Sequence, residues 1–237
     1  MDNAGIEKFY IEQLYPFQDE VLRVITSCNT PFYLTGGTAL SRGYLHHRHS
    51  DDLDLFVNTA TYSGNDPRYD AWRLSIMDAL GKQPGFRIET NVVGQHFTRL
   101  NVVQGGLPLK VELINDVVSR VGEPRIHPVL GRLDSPENIL SNKCTALRDR
   151  DVARDLADVW GLCTKMGLSL EAAITGARTK SSGLYYPDLA RRLCGATRKD
   201  WEVVLWRDPP DPETYLRELN DLGEALLLSP FNRPDSS

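Results

Sequence analysis

Long apolar runs are missing from this sequence: nowhere in its 237 residues do about 18 apolar residues follow one another, the length that a membrane-crossing helix needs. The opening residues, MDNAGIEKFYIEQLY, also lack the basic patch and the apolar core of a secretion signal. A cytoplasmic protein with no membrane partner is therefore expected. Paired cysteines are missing too. Cys28, Cys144, Cys163 and Cys194 are scattered with no CxxC spacing, which argues for free buried thiols rather than disulfides or a zinc site. An excess of positive charge is also absent, because a net charge of −5 is not that of a dedicated nucleic-acid module. Internal repeats and low-complexity tracts do not occur.

What is present is an ordinary globular composition, 41% hydrophobic and 25% charged, in a chain long enough for one large domain or two small ones. Its charge is uneven. Ser141 to Arg207 holds 12 Lys/Arg against 8 Asp/Glu, whereas Asp208 to Ser237 holds 2 against 7. A weakly basic middle and an acidic tail fit solvated surface as well as they fit a functional basic patch.

Apolar spacing at Ile6, Phe9, Tyr10, Leu14, Phe17, Val21 and Ile25 predicts one or two N-terminal helices. Pro31 to Thr35 reads as a strand, Gly36-Gly37 as a sharp turn and Thr38 to Leu45 as a helix. Leu53 to Val57 reads as a second strand, Pro67 to Gly81 as a helix, Phe86 to Val103 as a hairpin pair and Leu107 to Ile114 as a further strand. From Ser135 the signals become helical: Ser135-Pro136-Glu137 opens a run that continues to Met166 with a break near Asp149, and Asp211-Pro212-Glu213 opens the last helix. The expected organisation is an α/β domain over residues 1–120 and a helical domain over 121–237.

Within the first of these, Asp51, Asp52 and Asp54 crowd beside Leu53, Leu55 and Phe56. On a strand, side chains two apart share a face, so Asp52 and Asp54 lie together opposite the leucines. Two like charges on one face repel, which raises one pKa or demands a cation, and oxygen ligands suit Mg²⁺ or Mn²⁺ better than zinc. Upstream, a strand that ends in Gly36-Gly37 and opens a helix at Thr38 presents backbone N–H groups and a positive helix end, a cradle for phosphate. A site holding two metal ions calls for a third carboxylate. Glu112, polar on the apolar strand LKVELI and sharing a face with Lys110, is the best candidate, with a structural ion pair to Lys110 or an arginine as the alternative. His46, His47 and His49 have no further His or Cys at ligand spacing, which argues against zinc there.

The order G-G-T, D-x-D and a later lone acidic residue resembles the DNA polymerase β-like nucleotidyltransferase superfamily. The strings Gly36-Gly-Thr-Ala-Leu40, His47-Arg48 and Ser50-x-Asp52-Leu-Asp54-Leu-Phe56 resemble, more narrowly, its AbiEii/AbiGii toxin-type members. So do Lys143-Cys-Thr-Ala-Leu-x-x-Arg-x-x-Asp151 and Arg154-Asp155-Leu-x-Asp158. The resemblance implies an N-terminal polymerase β-like domain with a mixed sheet and a C-terminal helical domain completing the site. It implies catalysis by Asp52, Asp54 and Glu112 as metal ligands, phosphate binding by Gly36, Gly37 and Thr38, and Lys143 on the triphosphate, with Asp155 and Asp158 closing the site. An NTP would be the co-substrate, an RNA such as tRNA the acceptor, and a cognate antitoxin a further partner. Two alternatives stand beside this reading: adenylyl transfer to a small hydroxylated compound such as an aminoglycoside, and a binding protein that has lost the chemistry. For Arg148, Asp151, Arg154, Asp155 and Asp158, three- and four-residue spacing also fits plain helix-surface ion pairs.

Overall fold

A computed structural model describes residues 3–58, 66–116, 119–149, 152–180 and 186–229. Their contacts divide the chain into two compact units, Met1–Tyr44 with His49–Ser135, and Leu45–Arg48 with Pro136–Ser237.

The first unit begins with α1 (Asn3–Phe9), a π-helical turn (Tyr10–Leu14) and α2 (Tyr15–Ser27). It continues through β1 (Tyr33–Thr35), α3 (Gly36–Leu40) and a second π-helical turn (Ser41–Leu45) to β2 (Leu53–Val57). Next come α4 (Tyr69–Gly81), β3 (Phe86–Val93), β4 (Phe97–Gln104), β5 (Leu107–Asn115), β6 (Arg125–His127) and β7 (Gly131–Leu133). The strands form one mixed sheet in the order β3-β4-β5-β2-β1-β7-β6, with β2/β5 and β1/β7 parallel and the other pairs antiparallel. Alternation sets its faces: Leu53, Leu55, Val57, Leu109, Val111 and Leu113 are all buried, as period-two patterning requires. The short strands β6 and β7 carry no alternation long enough to read from sequence. Their pairing beside β1 extends the sheet unit to Ser135, beyond the expected 120/121 boundary.

The second unit is helical: α5 (Pro136–Asp149), α6 (Ala153–Trp160), a π-helical turn (Gly161–Lys165), α7 (Leu170–Lys180), α8 (Tyr186–Cys194), α9 (Arg198–Glu202) and α10 (Pro212–Leu228). Asp211 caps α10 by accepting from the Thr214 N–H at 2.9 Å, and Pro212 occupies the first helical position, where its missing N–H costs nothing. Trp160, Trp206 and Tyr215 pack edge to face at 5.4–6.0 Å. The segment Leu45–Arg48 joins this unit through the His47 carbonyl, which accepts from the Arg207 and Asp208 N–H groups, and through an antiparallel bridge from Arg48 to Trp206. Among the described residues no helix is long and apolar enough to cross a membrane. The four cysteines are free thiols, but of the expected burial only Cys144 shows it fully: Cys28 and Cys163 are half-buried and Cys194 is exposed; burial pushes the Cys163 thiol up to about 12.

Candidate active site

Register gathers the carboxylates on the sheet. Asp54 stands level with Thr35 of β1 and with Glu112 of β5, and Glu112 stands level with Arg99 of β4. Directly opposed residues share a sheet face, so Arg99, Glu112, Asp54 and Thr35 form one row across four strands. Thr35 continues the row by donating its hydroxyl to buried Asp134 at 2.6 Å. A second row on this face holds Asn101 and Lys110, opposed across β4 and β5.

The charges in these rows interlock. Arg99 Nε donates to Glu112 Oε1 at 2.8 Å, while Lys110 Nζ lies 2.7 Å from Asp52 Oδ2 and 3.5 Å from Glu112 Oε1. Burial works against the Lys110 ammonium, but its hydrogen bond to Asp52 and the charges of Asp52, Glu112 and Asp54 outweigh this and raise its pKa. The cation is therefore firmly held. The ion pair that the sequence offered as a plainer account of Glu112 is present, and two cations supply it.

Gly36 makes the approach to Asp54 possible. Its φ is +67°, and a Cβ built there would lie 2.5 Å from Asp54 Oδ2. Gly36→Ala is expected to cost on the order of 1–3 kcal/mol, from the left-handed backbone alone, and to displace Asp54; thermal unfolding together with a transfer assay checks both. Thr38 is buried, and its hydroxyl bonds the Asp52 carbonyl and Ser50 Oγ, the latter at 2.9 Å, which ties the helix start to the loop carrying Asp52. The extra carboxylate of Asp51 accepts from the Tyr10 hydroxyl, and its carbonyl accepts from Gln18 Nε2 at 2.9 Å. Asp51 therefore anchors the loop to the N-terminal helices. The histidines disperse: His49 bonds the Tyr15 hydroxyl and Glu7 at 2.9 and 2.8 Å, and His47 belongs to the helical unit.

Among the described residues no three His, Cys, Asp or Glu side chains stand in a metal-holding group. Asp52, Asp54 and Glu112 offer oxygen donors of the kind that a hard divalent cation takes, and in this arrangement the Lys110 ammonium stands between Asp52 and Glu112.

Lys143, Asp155 and Asp158 come together in the helical unit. Asp158 is fully buried and uses both carboxylate oxygens: Oδ1 accepts from Arg48 Nε at 2.7 Å and His47 Nε2 at 3.0 Å, and Oδ2 accepts from an Arg48 terminal nitrogen and Lys143 Nζ, both at 2.7 Å. Lys143 Nζ also donates to Asp155 Oδ1 at 2.7 Å. Burial opposes the Asp158 charge, but Arg48, Lys143 and the His47 hydrogen bond hold its pKa well below the usual carboxylate range. Neither aspartate is a helix-surface residue, so the surface-pair explanation fails for both. Asp151 of the same motif lies outside the described residues. Sequence reasoning gave no role to Arg48, His47 or Arg99.

Burial lowers the His47 pKa, more strongly than the Asp158 contact raises it. A depressed histidine contributes stability that is complete above the unfolded pKa of about 6.5 and is lost as pH falls toward the folded value, because only the unfolded chain then takes the proton. His47→Gln should flatten that part of the stability curve, as read from denaturant unfolding between neutral and mildly acidic pH.

The family model described as nucleotidyl transferase AbiEii toxin, Type IV TA system, matches residues 23–227. This chain belongs to the AbiEii family. The AbiEii-family protein is thus a nucleotidyltransferase, and both motif halves lie within the matched span. Its fold resembles the crystal structure of a candidate nucleotidyltransferase from H. pylori, with a TM-score of 0.61 and 21% identity over 91% of this chain and 95% of that one. It also resembles JHP933 from Helicobacter pylori, with a TM-score of 0.60 and 20% identity over 90% and 92%. At such identities the likeness is one of fold. A comparison with curated proteins gave no match.

Proposed function

We propose that this AbiEii-family protein transfers a nucleotide from an NTP to an RNA acceptor, tRNA in the first instance, with Mg²⁺ or Mn²⁺ held by Asp52, Asp54 and Glu112, and that a cognate antitoxin restrains it in the cytoplasm. The observation that carries the reading is the row Thr35–Asp54–Glu112–Arg99, with Lys110 between Asp52 and Glu112. When bound, divalent ions supply the positive charge that the attacking hydroxyl and the leaving pyrophosphate need. Gly36 and Gly37 offer backbone N–H groups to the β- and γ-phosphates, and Thr38 keeps the Asp52 loop in place. Glu112 orients the acceptor hydroxyl and accepts its proton. Arg99 and Lys110, freed from their carboxylates as the site fills, turn to phosphate oxygens. Lys143 is assigned to the triphosphate on the strength of the family motif, with Asp155 and Asp158 fixing its ammonium.

Incubating the protein with Mg²⁺, each labelled NTP in turn and total RNA tests the reading. Label should appear on RNA, and the rate should fall steeply with salt, because Lys/Arg contacts to phosphate release counterions. Label on a small hydroxylated compound, with weak salt dependence, would replace RNA by that acceptor class.

A further inference from the structure

A cavity of about 410 Å³ opens beside Asp52, on the sheet unit, between the N-terminal helical segment and the β4–β5 hairpin. Phe9, Leu14, Asp52, Asn101, Pro108 and Lys110 are among its lining residues. We propose that it is the subsite for the terminal nucleotide of the RNA acceptor, with Phe9 and Asn101 as the residues that recognise the base; this rests on the nucleotidyl-transfer reading given above.

Position is the first argument. In phosphoryl transfer the attacking and leaving oxygens stand roughly in line, so acceptor and pyrophosphate lie on opposite sides of the reacting phosphorus. Sheet order β4-β5-β2-β1 puts Gly36-Gly37, which follow β1, on one side of Asp54. Asn101 of β4, with Pro108 and Lys110 of β5, lies on the other. The cavity thus occupies the approach left to the nucleophile, and Glu112, the proton acceptor, stands one strand pleat from Lys110.

Chemistry is the second. Its volume falls in the range of small-ligand sites, and its walls divide by function. Phe9, Leu14 and Pro108 give an apolar flank for a base, as single-stranded RNA recognition uses. The Asn101 side chain makes no hydrogen bond to any described residue, so its amide offers both a donor and an acceptor to a base edge. Lys110 brings a cation for phosphate. Tyr10 also lines the cavity, but its ring is stacked on His49 at 4.0 Å between centroids and its hydroxyl is bonded to Asp51. It fixes the wall and leaves the base to half-buried Phe9, which meets Tyr10 edge to face at 5.5 Å.

Steady-state transfer to RNA by wild type, Asn101→Leu and Phe9→Ala, alongside equilibrium binding of Mg²⁺-NTP, tests the assignment. Each variant should lose about tenfold in kcat/KM for RNA, the scale of one base contact, while its NTP dissociation constant stays unchanged. Asn101→Leu places a strand-compatible side chain in β4, so it remains informative if Phe9→Ala loosens the helix; melting curves establish that each variant is folded. Equal labelling of RNA by wild type and by folded variants overturns the subsite and leaves the RNA reading standing. A parallel loss of NTP affinity also overturns it, since the residues would then serve the other substrate. Wild-type protein that labels only a small molecule overturns the RNA reading and, with it, the occupant named here.

Discussion

Asp54→Ala is expected to abolish nucleotidyl transfer while leaving the protein folded, and Asp52→Ala to do the same. The loss should be about 10²–10³-fold, the scale seen when a preorganised electrostatic contact to a transition state is removed. Asp54 stands between Thr35 and Glu112 in register and packs against Gly36, at the centre of the row. Stability should respond in the opposite sense. Opposed like charges on adjacent strands are destabilising, and Asp54 opposes Glu112, so the metal-free melting temperature should hold or rise in Asp54→Ala. Asp52→Ala removes the 2.7 Å partner of Lys110 and leaves it Glu112 at 3.5 Å; a small loss is expected there, since both side chains are about a third exposed. Wild type should melt higher with Mg²⁺ and NTP present, as any ligand selective for the folded state ensures, and Asp54→Ala should show little of that increment. Full transfer activity in either variant would remove both aspartates from the site.

The row itself was partly legible in the sequence. Asp52 and Asp54 could be placed on one face because Leu53, Leu55 and Val57 alternate with them, and Glu112 because it interrupts an otherwise apolar strand. Arg99 was missed although its signal was present. Gly105-Gly106, with φ of +58° and +87°, is the two-residue turn that links β4 to β5, a strong hairpin signature. Counting outward from it sets Asn101 opposite Lys110 and Arg99 opposite Glu112. β6 and β7 left no such trace, because three residues cannot establish a period. Their place in the sheet follows from tertiary pairing with β1. The role of Arg48 was hidden for a related reason. It lies 110 positions from Asp158, so although His47-Arg48 stands in the family string, spacing alone does not reveal its partner.

Asp158→Ala is expected to destabilise the protein by about 3–5 kcal/mol, the cost of breaking a buried ion pair by removing one partner. Its two oxygens serve Arg48, His47 and Lys143. Lys143 would keep Asp155 at 2.7 Å, but Arg48, 4% exposed, would keep a charge that it cannot shed. In a chain of this size each kcal/mol moves the melting temperature by about 2–4 °C, so a fall of roughly 6–20 °C is the thermal signature. The carboxylate pKa is depressed, so its contribution is fully present above the unfolded value of about 3.9 and is lost as pH falls toward the folded one; the deficit of the variant should therefore persist across neutral and mildly acidic pH. Replacing Arg48 and Asp158 together by leucine should recover part of the loss, because both members of the buried ion pair are then removed together. A double-mutant cycle measures that coupling, and a double variant as unstable as the sum of the singles would show that Arg48 and Asp158 stabilise the unit through separate contacts. Nucleotide affinity divides structure from function here. Lys143→Ala should weaken Mg²⁺-NTP binding if the ammonium serves the triphosphate as well as its two carboxylates. An unchanged dissociation constant in a folded Lys143→Ala protein would make Lys143, Asp155, Asp158 and Arg48 a structural network alone.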